Sequence, residues 1–157
     1  MLQKLKTWLS TRVADDSDTR PHFGSLDANE TLSVILMMEI ALADGKFEQS
    51  EHDYLIHELK RDFDQAPEAA EEVINHAKIH VRDAASLQES TAPLKALAYA
   101  DKVVLLESLW EVAYADGELD PLEESMLRKL ADLLYIGHSD YIRCKLAAEE
   151  SVGWKNL

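Results

Sequence analysis

The chain has 157 residues, 46% hydrophobic and 29% charged, which is enough to bury a core without disulfide or metal staples. Its 30 acidic against 16 basic residues give a net charge of −14, which repels phosphate backbones and argues against nucleic acid as a partner. A lone cysteine, Cys144, excludes an internal disulfide and a multi-cysteine metal site.

The first element is a short amphipathic segment from Leu2 to about Ala14, with Leu2, Leu5 and Leu9 on one face. It holds Lys4, Lys6 and Arg12 and none of the 30 acids, so a basic tip precedes an acidic body. Such a segment, with Trp8, could touch an anionic membrane surface through residues 1–14, or could dock on the rest of the chain. A polar stretch to residue 25 reads as a linker, and residues 1–20 are expected to be dispensable for the fold. No apolar run reaches the 18 or so residues of a membrane span, and no signal peptide is recognisable. The expected location is the cytoplasm.

The expected domain spans residues 26–151, with 152–157 as a tail. Asp27 or Asn29 opens a helix to about Ala43, with Gly45 as its stop. Its stripe is Leu32, Ile35, Leu36 and Ile40. A second helix runs from about Glu48 to Phe63. Pro67 opens a third, to about Ala85. A short helix follows Pro93. The next runs from Asp101 to Ala115, with Val104, Leu105, Leu109 and Val112 as core. Asp120 to Tyr135 follows, stopped by Gly137, and a last helix runs to about Glu150. No alternating run reads as a strand, so the expected class is all-α, with about seven helices.

Offset by 72 residues, the chain repeats itself, with seven of 17 positions identical between residues 39–55 and 111–127. Glu39-Ile-Ala-Leu-Ala-Asp44-Gly45 returns as Glu111-Val-Ala-Tyr-Ala-Asp116-Gly117. Glu48 and Glu51 return as Asp120 and Glu123. This predicts two pseudo-symmetric helix-turn-helix units. Part of the pattern is helix punctuation: left-handed glycines, Asp120 as N-cap with Pro121 at the first position and Glu123 as capping-box acid, Glu48 and Glu51 as a weaker version of the same cap, and Phe47 and Leu119 as staples. Asp44 and Asp116 are less well explained that way, because each opposes the negative end of a helix dipole; they either form an Asx turn or meet a cation or a donor from the other copy. Glu39 and Glu111 lie in apolar stripes and must be paired, protonated or at the core edge. Each copy resembles half of a calcium-binding EF-hand loop. Its first and third ligand positions are filled by residues such as Ile40 and Leu42 that cannot donate carboxylates. Two half-loops face to face could still supply four to six oxygens to a hard cation.

The doubled Ala-x-Ala-Asp-Gly-x-hydrophobic-acid-x-x-Glu motif, with Leu109-Trp110 before its second copy and Leu130-Ala131-Asp132-Leu133-Leu134 after it, resembles the TerB family of tellurite-resistance proteins. The same domain type forms the N-terminal part of DjlA-type membrane co-chaperones. The resemblance covers residues 28–148 and implies a compact bundle of about seven helices. It also implies a stress-response role in divalent-metal binding (Ca, Mg, Mn or Zn). The implied metal positions are Asp44, Glu48, Glu51, Asp116, Asp120 and Glu123, and Lys46 replaces the acid found at Glu118. No J-domain signature is present.

The expected function is a metal-responsive, non-enzymatic module. The alternative is an acidic adaptor for a basic or membrane-associated protein, with the acids serving as caps. A carboxylate-based hydrolase is the weakest reading. Glu72, His76 and His80 share a helix face that reads as an exposed polar stripe before it reads as a zinc site. Cys144 reads as a buried, inert thiol, and Trp110 as core.

Overall fold

The second helix of the chain shows how closely the sequence dictates local structure. Asp27 caps it in a capping box: Oδ1 of Asp27 accepts from Glu30 N at 2.7 Å, and Oε1 of Glu30 accepts from Asp27 N at 2.9 Å. From Ala28 to Ile40 only Glu30 is not buried, so this helix is wrapped on all sides. Its polar members are satisfied locally: Ser33 Oγ donates to Asn29 O, and Thr31 Oγ accepts from Phe23 N.

In the computed structural model, residues 2–13, 20–43, 45–83, 86–114 and 120–151 are described, with 86, 112 and 151 described by their backbone alone. Among these residues the chain forms eight α-helices and no strand: α1 (Leu2–Arg12), α2 (Ala28–Ala41), α3 (Gln49–Asp62), α4 (Pro67–Arg82), α5 (Ser86–Thr91), α6 (Tyr99–Tyr114), α7 (Pro121–Leu133) and α8 (His138–Ser151). A 3₁₀ turn over Ala92–Leu94 contains Pro93, where a short α-helix was expected. The fold is all-α. No described helix is long and apolar enough to cross a membrane.

Two compact units divide the chain, Met1–Ser90 and Thr91–Leu157, and each carries one copy of the repeat. In the first, α1 and α4 pack on α2, and α3 packs on α4 and α1. Leu2, Leu5, Leu9 and Val13 are core residues of this unit. The leucine face of α1 therefore points into protein, which corrects the expectation that residues 1–20 are dispensable and withdraws those leucines from any membrane contact. Asp62, at the end of α3, accepts Gln3 N at 3.0 Å and so ties down the open N-terminus of α1.

Asp62 yields a pH prediction. Burial pushes its carboxyl up, but the Arg61 side-chain hydrogen bond and the Gln3 N–H outweigh burial and hold the pKa at about 2. A carboxylate with a depressed folded-state pKa contributes stability above its unfolded value, about 3.9, and loses it as pH falls toward the folded value. Asp62→Asn should cost roughly 1–2 kcal/mol at pH 7. The gap from wild type should close between about pH 4 and pH 2 in denaturant titrations. A gap that persists at pH 2 would show that the effect is not electrostatic.

In the second unit, α6 packs on α8 and α7. Leu105, Leu106, Leu109, Trp110, Ala113 and Tyr114 supply the buried face of α6. Val104, expected in that stripe, is 46% exposed, and the side chain of Val112 lies outside the described residues. The face centres one residue further along, on Leu106 and Trp110. α7 ends in a Schellman motif, with Ile136 N donating to Ala131 O and Tyr135 N to Asp132 O. The left-handed residue there is Tyr135 (φ 60°), not Gly137. The expected glycine stop is thus displaced to a bulky residue, 74% exposed, whose ring lies 5.9 Å from Lys102 Nζ.

Candidate functional site: the repeated acidic turns

The first turn begins where α2 runs out. Ala43 N donates to Ile40 O, and Gly45 N donates to Leu42 O at 2.9 Å. Gly45 has φ +76°, and a Cβ there would meet nothing within 4 Å, so backbone conformation and not space demands the glycine. Asp44 lies outside the described residues. Glu48 is the N-cap residue of α3 but makes no side-chain cap bond, and its side chain is exposed. This corrects its expected capping role. Glutamate is not among the favoured N-caps, since its extra methylene carries the carboxylate past the first-turn N–H groups. Glu51 is half-buried in the first turn of α3. Phe47 does staple onto the helix, but through His52, with ring centroids 6.1 Å apart. His52 Nε2 in turn lies 2.9 Å from Glu71 Oε1.

In the second turn, residues 115–119 lie outside the described residues, Asp116, Gly117 and the staple Leu119 among them. The exit is well defined. Asp120 Oδ1 accepts Leu122 N at 2.7 Å and Pro121 takes the first helical position, as expected. Glu123 and Glu124 stand in the first turn of α7, where carboxylates suit the dipole.

Helix α8 grips both sides of this turn with one stripe, Tyr141, Lys145 and Glu149, spaced four residues apart. Tyr114, the last residue of α6, donates its hydroxyl to Glu149 Oε1 at 2.7 Å. Burial first, and then that hydrogen bond to a carboxylate, push the phenol well above its ordinary pKa. Across the turn, Lys145 Nζ donates to Glu124 Oε1 at 3.0 Å and Tyr141 OH to Glu124 O at 3.4 Å. Trp110 fills the space between, stacked on Tyr114 at 5.7 Å and tilted against Tyr141 at 5.4 Å. The spacing of the stripe was the sequence signal for this grip, and sequence reasoning missed it.

It also missed the buried carboxylates Glu58 and Glu149. Glu58, 1% exposed, accepts from Tyr54 OH at 2.8 Å and from Arg61. Burial and that bond push the Tyr54 phenol up to about 12. Of the repeat's paired acids, Glu39 is buried, while Glu111 is half-exposed.

The other candidates resolve simply. Among the described residues no three His, Cys, Asp or Glu side chains gather as a metal-binding group, and Glu72, His76 and His80 are all described. His76 and His80 instead flank the Phe23 ring, each at 5.9 Å, and His80 Nε2 meets Ser90 Oγ at 3.2 Å. Cys144 is buried, its thiol pushed up to about 11 by burial, and it donates to Val103 O. A thiol so placed is protonated at neutral pH, consistent with its reading as an inert core residue.

A family model described as tellurite resistance protein TerB matches residues 30–146. The chain belongs to the TerB family. No curated protein and no solved structure gives a significant match.

Proposed function

We propose that this chain is a non-enzymatic, divalent-cation-responsive TerB-family module whose ligands come from its acidic turns, each taken within its own unit. The residues are Asp44, Glu48 and Glu51 in the first copy and Asp116, Asp120 and Glu123 in the second. One observation carries the reading. Both copies keep an acid before Gly45 or Gly117, at the helix entrance and three residues on, yet Glu48 caps nothing with its side chain. Capping therefore accounts for Asp120 but not for Glu48. The donor set is all carboxylate, which suits hard cations such as Ca²⁺, Mg²⁺ or Mn²⁺ better than Zn²⁺. The second turn is the more acidic, because Glu118 stands there where Lys46 stands in the first.

The test compares Asp116→Asn and Asp44→Asn with wild type by metal titration of chelator-treated protein. Asp116→Asn should weaken binding by about 1–3 kcal/mol, and Asp44→Asn by less. Both variants should keep their metal-free melting midpoint or gain slightly, since the sequence puts each charge two or three residues past the C-terminal end of a helix. Cation affinity untouched by either change would refute the assignment, and the reading of an acidic adaptor for a basic protein would replace it.

A further inference from the structure

Beside the first acidic turn is a cavity of about 440 Å³, lined by Leu42, Gly45 and Phe47 and by Lys78, Val81 and Arg82 of α4. Its size falls in the range of small-molecule sites. Two cations line its wall. Some cations of the chain are paired with acids, as in Arg61 with Glu58 and Asp62, and Lys145 with Glu124. Lys78 and Arg82 have no carboxylate partner among the described residues; Lys78 Nζ instead sits 4.7 Å over the Phe47 ring. Like charges four residues apart repel across a helix turn. The helix dipole accounts for Arg82 in the last turn of α4, but not for a second cation, Lys78, on the wall of the same cavity.

We propose that this groove binds a small amphipathic oxyanion, a phosphate ester or carboxylate carrying an apolar group. The oxygens would lie between the Lys78 ammonium and the Arg82 guanidinium, a fork suited to paired oxygens. The apolar body would rest on Leu42, Phe47 and Val81. Lys78 is held in place by the Phe47 ring. Gly45, at φ +76°, lines the cavity with backbone alone. The site shares the first acidic turn with the cation reading through Leu42, Gly45 and Phe47, but its charged groups come from α4, which carries none of the repeated acids.

The test is an NMR titration of the ¹⁵N-labelled full chain at low salt with phenyl phosphate, benzoate and inorganic phosphate. Phenyl phosphate should saturate with a Kd at or below roughly 1 mM, moving the amides of Leu42, Gly45, Phe47, Lys78, Val81 and Arg82. Inorganic phosphate should bind at least about fivefold more weakly, since it lacks the apolar body. Benzoate decides whether the preferred head is carboxylate or phosphate. The double change Lys78→Ala, Arg82→Ala should weaken binding by about tenfold or more with an unchanged melt. Repulsion from the net charge of −14 disfavours adventitious anion binding elsewhere. No saturation by either organic anion, equal binding of inorganic phosphate, or a double variant that binds as wild type would each overturn the proposal.

Discussion

Removing residues 2–13 is expected to unfold the Met1–Ser90 unit, not to trim it. Leu2, Leu5, Leu9 and Val13 are all buried in that unit. Each contributes about 1.5–3 kcal/mol by burial, so together they approach the 5–15 kcal/mol that holds a typical domain folded. The deletion also strips a covering from α2, which has no polar face to offer water. Asp62 loses the N–H it accepts. The melt followed by circular dichroism should lose a cooperative step or fall by roughly 15 °C or more. The milder Leu9→Ala should cost about 2–5 kcal/mol. A truncated chain that melts like wild type would show that α1 is peripheral.

The second large effect is expected at Trp110. It is 0% exposed and stands between Tyr114, Tyr141 and Lys145, so it fixes the α8 stripe against the turn. Trp110→Ala should cost about 3–5 kcal/mol. Its indole Nε1 is buried with no hydrogen-bond partner among the described residues, so Trp110→Phe removes that buried donor along with some packing. That change should cost under about 2 kcal/mol in denaturant titrations. Equal losses for the two substitutions would mean that the N–H is satisfied after all.

These two sites show what the sequence made legible. The leucines of α1 were visible as a stripe, but a spacing of 2, 5 and 9 is the same whether the face meets lipid or another helix. The partner was the missing information. α2 read cleanly because its cap and apolar stripe agree. α5 did not, because Ser86–Thr91 buries one large apolar residue, Leu87, and has no periodicity to read. Glycine placed the end of α2 near Gly45, but the same rule misplaced the end of α7. There the left-handed position falls to Tyr135, a residue type with no such preference.

The candidate site was legible as a repeated acid pattern and no further. The pattern did not reveal that Asp120 caps its helix and Glu48 does not. The buried carboxylate Glu58 was hidden because a Tyr four residues before a Glu and an Arg three after it usually mark a solvated helix face. Glu149 pairs with Tyr114 across 35 positions, a contact that only the packing of α8 on α6 creates.

The central claim is that the acidic turns bind a divalent cation. The direct measurement is isothermal titration of chelator-treated protein with Ca²⁺, Mg²⁺, Mn²⁺ and Zn²⁺, with parallel melts in metal and in chelator. The account predicts saturable binding of at least one hard cation, and a rise in the melting midpoint that grows with free metal as RT ln(1 + [L]/Kd). Both should be reduced in Asp116→Asn. No binding heat and identical melts at millimolar metal would contradict it.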